Sequence, residues 1–422
     1  MKLIKILSDK VQIRTDQQEF GNVRINDLIA ISDGTAELIT MVTSVTDNDA
    51  DSGIGEDDFI FERSSVKVVE CSIIGSVQGG KFSKALDQYP TTDITAREVT
   101  SEEFAELIGQ PEGGFYIGTY AAYACPAWVD GNRFFQRHSC IVGNTGSGKS
   151  ETVAKILEET SKLPGANIIV FDIHGEYREL SYARNISFSS AMPFPIWMFG
   201  FSDMVSNILK IKGETATVAM SALRKVYNLI CAEGNEGKPV YFKYEKLIEG
   251  LKLLNEEQVP TGEFYKTGAS AGQQKMVKGE YNGRLHSIIS TLESKENDAR
   301  LSFLFQEADQ NYLEELVLQI LGNDKPVKNI DLSNMPHDIA IAVIGAVTKL
   351  IYGVQQTFKD GEITPVTLVC DEAHVYIPNS LQLSASERRM VEIFENIAKE
   401  GRKFGMTSFV ASQRPSELNK TI

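Results

Sequence analysis

The chain has 422 residues, 42% of them hydrophobic and 23% charged, the balance of a soluble globular protein of two or three domains. That excludes a disordered tail, a collagen-like repeat and a miniprotein built on disulfides. With 42 Lys and Arg against 57 Asp and Glu, the formal charge is −15. This excludes a protein that coats nucleic acid non-specifically, but not one that grips it in a local basic channel.

The opening MKLIKILSDKVQ places Lys5 and Lys10 around a short apolar stretch, so no secretory signal is expected and the cytoplasm is the default compartment. The β-rich runs that follow are VQIRT at Val11, VRINDLIAIS at Val23, ELITMVTSV at Glu37 and SSVKVVECSIIGSV at Ser64. Turn signals separate them: DGT, QGGKF and an acidic stretch from Asp47 to Asp58 that reads as a solvated connection. Many short strands with polar turns predict a small antiparallel β-barrel over residues 1–125. The five cysteines, Cys71, Cys125, Cys140, Cys231 and Cys370, form no CxxC and no metal-ligand spacing, as expected of reduced thiols, most of them packing the core.

Over residues 126–422 the rhythm changes to α/β. A buried strand, HSCIVG, meets the loop Gly143-Asn144-Thr145-Gly146-Ser147-Gly148-Lys149-Ser150, and a helix begins at Glu151. This fits G-x-x-x-x-G-K-[ST] without a mismatch and predicts an ATP site. Glycines let successive backbone N–H groups face a phosphate, Lys149 neutralises the β/γ oxygens, and the Ser150 hydroxyl ligates Mg²⁺. The next strand, in ANIIVFDIHGEY, ends at Asp172. That acid is placed either to meet the metal shell or the attacking water, or simply to close a strand-end turn. Residues 202–307 read as a helical insertion, with 3.6-residue spacing in ATVAMSALRKVYNLI, YEKLIEGLKLL and HSIISTLES. Within it Lys275, Lys278 and Arg284, interleaved with Tyr281, form either a solvated face or a phosphate contact.

The α/β pattern then resumes with VKNIDLS and a helix from Pro336 to about Phe358. Its apolar stretch, Ile339 to Val347, stops at Lys349 and is expected to fall short of the roughly 20 residues that span a bilayer. In the strand PVTLVCDE, Asp371 is the expected metal ligand and Glu372 the group that takes a proton from water. A helix from about Ser384 to Lys403 and the strand MTSFVASQ lead to Gln413, which either senses the γ-phosphate or caps a loop. Arg137, just before the P-loop strand, and Arg402, just before the last strand, are either surface residues or arginine fingers acting on a neighbouring subunit. Among the five histidines, His174 and His374 lie beside the nucleotide elements; His138, His286 and His337 read as structural.

Four blocks, HSCIVGNTGSGKS, FDIHGEY, VTLVCDEAHVYIP and KEGRKFGMTSFVASQRPSEL, together resemble the HerA group of the HerA/FtsK P-loop ATPases. The resemblance implies a RecA-like P-loop ATPase core with a helical insertion, preceded by a small β-barrel. It also implies a homo-hexameric ring with ATP and Mg²⁺ between subunits and double-stranded DNA in its channel. Lys149, Ser150, Asp371, Glu372 and Gln413 take the P-loop, Walker B and sensor positions. Arg137 and Arg402 match arginines around the nucleotide at the subunit interface, and Asp172 matches an acid of the D-x-HGEY block.

Relatives of this kind work with a separate effector: a NurA-type nuclease in DNA end processing, or a sirtuin-type NADase or nuclease in anti-phage defence. No membrane partner is implied. The family continues beyond SQRPSEL with a further strand, a helix and a tail, so the C-terminal end is expected to be truncated. Two other readings stand beside the motor. One is a nucleotide-gated ring scaffold that assembles and activates effector subunits. The other is a superfamily 2 DEAH-box helicase, weakened by the wide spacing of Lys149 and Asp371 and by the lack of a second motor domain.

Overall fold

The structure, a computed structural model, describes residues 2–15, 23–34, 37–48, 66–78, 81–86, 89–90, 94–211, 216–231, 240–267, 269–309, 311–322, 324–359, 363–380 and 382–422. The acidic stretch, apart from its first two residues, lies outside these. The chain forms two units, Met1–Asp130 and Gly131–Ile422.

Seven strands make the main sheet of the first unit: β1 (Lys2–Ile6), β2 (Lys10–Thr15), β3 (Leu28–Ser32), β4 (Glu37–Asn48), β5 (Val66–Gln78), β6 (Lys81–Ser83) and β7 (Thr95–Glu98). Their antiparallel order is β1-β2-β5-β4-β3-β7, with β6 on β5. Among the described residues β1 and β7 do not meet. The expected barrel is therefore corrected to an open, half-barrel sheet.

The reason lies in its side chains. In β3, Ile29 and Ile31 point to one core and Leu28 and Ala30 to another. A closed barrel has one interior, whereas here both faces bury apolar residues. Helix α1 (Ser101–Ile108) starts on a capping box between Thr100 and Glu103 and adds Phe104 to the second core. The hairpin β8 (Gly114–Tyr120) and β9 (Cys125–Asp130) contributes Cys125 to the same core.

In the second unit, α2 (Gly131–Phe135) precedes β10 (Ser139–Val142), α3 (Lys149–Thr160), β11 (Ile168–Asp172) and β12 (Ala183–Ser187). The chain then leaves the sheet for α4 (Gly200–Asp203), α5 (Ala216–Ile230) and α6 (Tyr244–Glu256). An exposed hairpin, β13 (Gln258–Phe264) with β14 (Gln274–Lys278), is followed by α7 (His286–Glu296), α8 (Ser302–Phe305) and α9 (Tyr312–Leu321). It returns with β15 (Val327–Asp331), α10 (His337–Gln355), β16 (Val366–Cys370), α11 (Ala385–Glu400) and β17 (Met406–Ser412).

The excursion from the sheet thus runs from β12 to β15, wider than the helical run read from sequence, and it holds two strands as well as helices. The sheet order is β10-β17-β16-β11-β15-β12, and every pairing is parallel. β11, β15, β16 and β17 are buried along their whole length, as parallel strands covered by helices are, although β15 carries the polar Lys328, Asn329 and Asp331.

Lys349 does not interrupt α10. The helix is 19 residues long and apolar enough, by length and composition alone, to cross a membrane, which corrects the shorter stretch expected. Its Ile339, Val343, Ile344, Val347 and Ile351 pack into the unit's main core. Lys349 pairs with Asp203 at 2.9 Å, and Arg389 of α11 reaches the same carboxylate at 2.6 Å.

Lys328 on β15 is fully buried and hydrogen-bonds Asn167, and burial pulls its amine down to about 8, with Arg184 adding repulsion. A lysine depressed in the fold carries a penalty that is full below its folded value and gone above its unfolded one. Relative to the parent, a Lys328→Met variant should therefore lose up to about 3 kcal/mol as pH rises from 8 to 10.5. Urea midpoints of both proteins across that window measure it, and a constant difference would contradict it.

Candidate active site

β10 ends at Val142, where the Gly143 N–H donates to the Ser412 carbonyl at 3.3 Å and ties the following loop to the end of β17. The loop folds back sharply: the Ser147 N–H donates to the Asn144 carbonyl at 3.1 Å, and a Cβ on Gly143 would stand 2.4 Å from Ser147 Oγ. Gly148, at φ +86°, is the residue before the first turn of α3, and no side chain caps that turn. Its first N–H groups are left pointing into the loop with the positive end of the helix dipole behind them, a receptor for an anion. Ser150 is half-buried and Glu151 exposed in that turn.

Lys149 closes the site. Its Nζ donates to Asp371 Oδ1 at 2.9 Å and to Glu372 Oε1 at 2.8 Å, and all three side chains are under one-tenth exposed. Burial alone would pull the lysine down, but the hydrogen bonds to Glu372 and Asp371 outweigh it and hold its pKa above the ordinary value. For Glu372 burial pushes upward, and Lys149 and Gln413 reverse this, leaving its pKa lowered. Glu372 sits at φ +47°, left-handed for a residue with a side chain, at a cost of about 1–2 kcal/mol. Such strain collects at functional sites. Its Oε2 is buried and accepts no hydrogen bond.

β16 and β17 are in parallel register, Cys370 beside Val410, which brings Ser412 level with Glu372. Between them stands His374, its Nδ1 3.1 Å from Ser412 Oγ and 3.4 Å from Glu372 Oε2. Gln413 accepts a hydrogen bond from the Thr145 hydroxyl, linking β17 to the loop.

Asp172 has a different set of contacts. Its buried carboxylate accepts from the N–H groups of Gly175 at 2.7 Å, Glu176 at 3.0 Å and Tyr177 at 3.0 Å, and from the Asn329 amide at 3.2 Å. These are the contacts of a strand-end turn, and they seat Tyr177, whose hydroxyl donates to Asp371 Oδ2 at 3.3 Å. Sequence reasoning gave Tyr177 no role; an aromatic five residues past a strand-end Asp was the available signal. His174, in the same turn, is exposed.

Arg137 and Arg402 are also exposed, and they precede β10 and β17. The loop and Gln413 follow those same strands, so the arginines lie at the opposite ends of β10 and β17. Arg137 lies about 20 Å from Gly143 along the strand, out of reach of Lys149 in the same chain. Tyr281 is buried with its hydroxyl at Ser221, Lys275 pairs with Glu263, and Arg284 bonds the Glu280 carbonyl.

Among the described residues no group of three or more His, Cys, Asp or Glu could hold a metal. One carboxylate and one hydroxyl, Asp371 and Ser150, suit Mg²⁺, which takes few protein oxygens and completes its shell with water and phosphate.

The profile of the family described as "Helicase HerA, central domain" matches residues 115–351, more than half of the chain. The chain belongs to the HerA helicase family. The HerA match ends before β16, so the acidic pair that grips Lys149 lies beyond it and is joined to the loop by the fold. The DNA double-strand break repair helicase HerA of Saccharolobus solfataricus is 27% identical over 345 residues, which are 79% of this chain and 61% of that one. Its namesake from Sulfurisphaera tokodaii is 25% identical over 372 residues, 86% of this chain and 66% of that one. This HerA-family chain thus spans about three-fifths to two-thirds of the length of these relatives. VirB4 of Thermoanaerobacter pseudethanolicus is similar more loosely, with a TM-score of 0.45 and 14% identity over 72% of this chain and 78% of that one.

Proposed function

We propose that this chain is the Mg²⁺-dependent ATPase subunit of a hexameric ring that translocates on double-stranded DNA. The observation that carries it is the buried clamp of Lys149 on Asp371 and Glu372, set beside an uncapped helix N-terminus. ATP phosphate groups would occupy the anion receptor of residues 143–150 and draw Lys149 away from the two acids. Ser150 and Asp371 would hold Mg²⁺, whose charge neutralises the phosphate oxygens.

Freed of the lysine, Glu372 accepts a proton from water. The water oxygen bonds the γ-phosphorus as the bond to the bridging oxygen breaks, leaving ADP and phosphate. Gln413, linked to Thr145, reports the state of the phosphate to β17. Asp172 acts by seating Tyr177 against Asp371. Because Arg137 and Arg402 stand at the far ends of β10 and β17 from the loop, they serve the site of a neighbouring copy, which favours a ring. The names of the relatives, DNA double-strand break repair helicases, support DNA as the track. A separate nuclease or sirtuin-type effector, in DNA processing or anti-phage defence, completes the reading. A cytoplasmic setting suits five free cysteines.

The test is steady-state ATP hydrolysis by the full chain with no nucleic acid, linear duplex DNA, single-stranded DNA or RNA at one fixed salt concentration, with Glu372→Gln as control. Duplex-stimulated turnover that vanishes in the variant is expected. Glu372-dependent turnover indifferent to every nucleic acid would reject the motor and leave an effector-assembling scaffold, and its complete absence would reject the ATPase.

A further inference from the structure

We propose that His374 is a positioning residue that hands the state of β17 to Glu372. The inference rests on the ATPase reading above and names a control element within that site. Three observations support it. His374 is nearly buried, with its side chain 10% exposed, between the strand that ends in Ser412 and the acid that follows β16. Its Nδ1 is 3.1 Å from Ser412 Oγ and 3.4 Å from Glu372 Oε2. That Oε2 is buried and lacks a hydrogen bond, although the same carboxylate's Oε1 holds Lys149.

A proton on Nδ1 serves one of these oxygens well at a time, because a hydrogen bond is directional. Here the closer partner is Ser412. Ser412 Oγ also accepts the Arg414 N–H at 3.0 Å, and Ser412 is bonded to Gln413, so its position follows whatever holds the end of β17. When Lys149 leaves for phosphate, Glu372 loses its cation and keeps Gln413. The imidazole then becomes the donor that fixes the unpaired oxygen and turns the other one to water. A shift of Ser412 sets whether that donor is available, so hydrolysis answers to β17 through His374.

The experiment uses the full chain and reads kcat for ATP together with the Kd of a fluorescent ATP analogue. In His374→Leu, kcat should fall about 10- to 100-fold, the range seen when an orienting partner is lost, with Kd changed by less than about threefold. His374→Asn places an amide N–H where Nδ1 stood and should restore most of the loss. Combined with Glu372→Gln, His374→Leu should add less than about twofold, because both remove one function. Ser412→Ala, a small change that keeps the imidazole, should raise turnover without DNA by deleting the competing oxygen.

A His374→Leu protein with parental kcat, a loss that multiplies with that of Glu372→Gln, or an unchanged Ser412→Ala turnover would overturn the proposal. If the parent chain shows no Glu372-dependent hydrolysis, the ATPase reading itself fails. Glu372-dependent hydrolysis indifferent to His374 sinks the coupling alone.

Discussion

Glu372→Gln is expected to cut ATP turnover by about 10²–10⁴-fold, the usual contribution of a positioned general base, while nucleotide still binds. The amide keeps the size of the carboxylate and can accept from Lys149 through its oxygen, but it cannot take a proton from water. Burial of the side chain excludes bulk water as a substitute base. The asymmetry between turnover and binding is the informative part. Loss of both would mean that the substitution disturbs the left-handed turn at Glu372 and the loop with it. Single-turnover hydrolysis and equilibrium binding of the same fluorescent nucleotide separate the two, and parental turnover would exclude Glu372 as the base.

Lys149→Met is expected to abolish nucleotide binding at working concentrations and also to destabilise the nucleotide-free protein. Removing the ammonium leaves two adjacent, buried carboxylates without their cation. Breaking one side of a buried ion pair costs about 3–5 kcal/mol. The sign with pH follows from the shifts. Glu372, lowered in the fold, contributes stability above the ordinary carboxylate range, which is lost as pH falls through its folded value. Lys149, raised in the fold, contributes below the ordinary lysine range, and this is lost as pH climbs through its folded value. The parent's advantage over Lys149→Met should therefore be a plateau between about pH 5 and 10 that shrinks on both sides. Urea unfolding without nucleotide or Mg²⁺ measures it. Equal stability at pH 7 would show that the clamp contributes nothing.

The loop from Gly143 to Ser150 was legible because its geometry is local: glycine spacing, the following helix and the preceding strand all lie within a dozen residues. The apolar run before Asp371 was legible for the same reason. What joins them was not. The level placement of Ser412 and Glu372 depends on the β16–β17 register, and the contact between His374 and Ser412 follows from it. β12 escaped notice because only Ile186 of its five residues is buried, so no alternation marks it. β13 is exposed along its entire length and contains Pro260 and Gly262; cross-strand pairing, not burial, makes it a strand. The first unit was read as a barrel because alternation reveals strands and faces but not whether the first and last strands meet. Closure is a property of the whole sheet, and the apolar residues on both faces of β3 were the clue against it.

The sheet order also sets a timetable. Among the described residues β10 has a single partner, β17, whose Ser408 is 270 residues further along the chain than His138. Synthesis runs from the N-terminus, so the phosphate loop is among the first parts of its unit to leave the ribosome and among the last to gain a hydrogen-bonded neighbour. Pairing over such a separation is slow, because the closure entropy comes before any contact rewards it. A nascent chain stopped before Met406 would carry the complete glycine loop with Asp371 and Glu372, but not the β17 that stands between β10 and β16, the Ser412 carbonyl for Gly143 or the Gln413 for Thr145. Nucleotide therefore cannot guide the early folding of this unit, and competence to bind it marks the moment at which the sheet is assembled through β17.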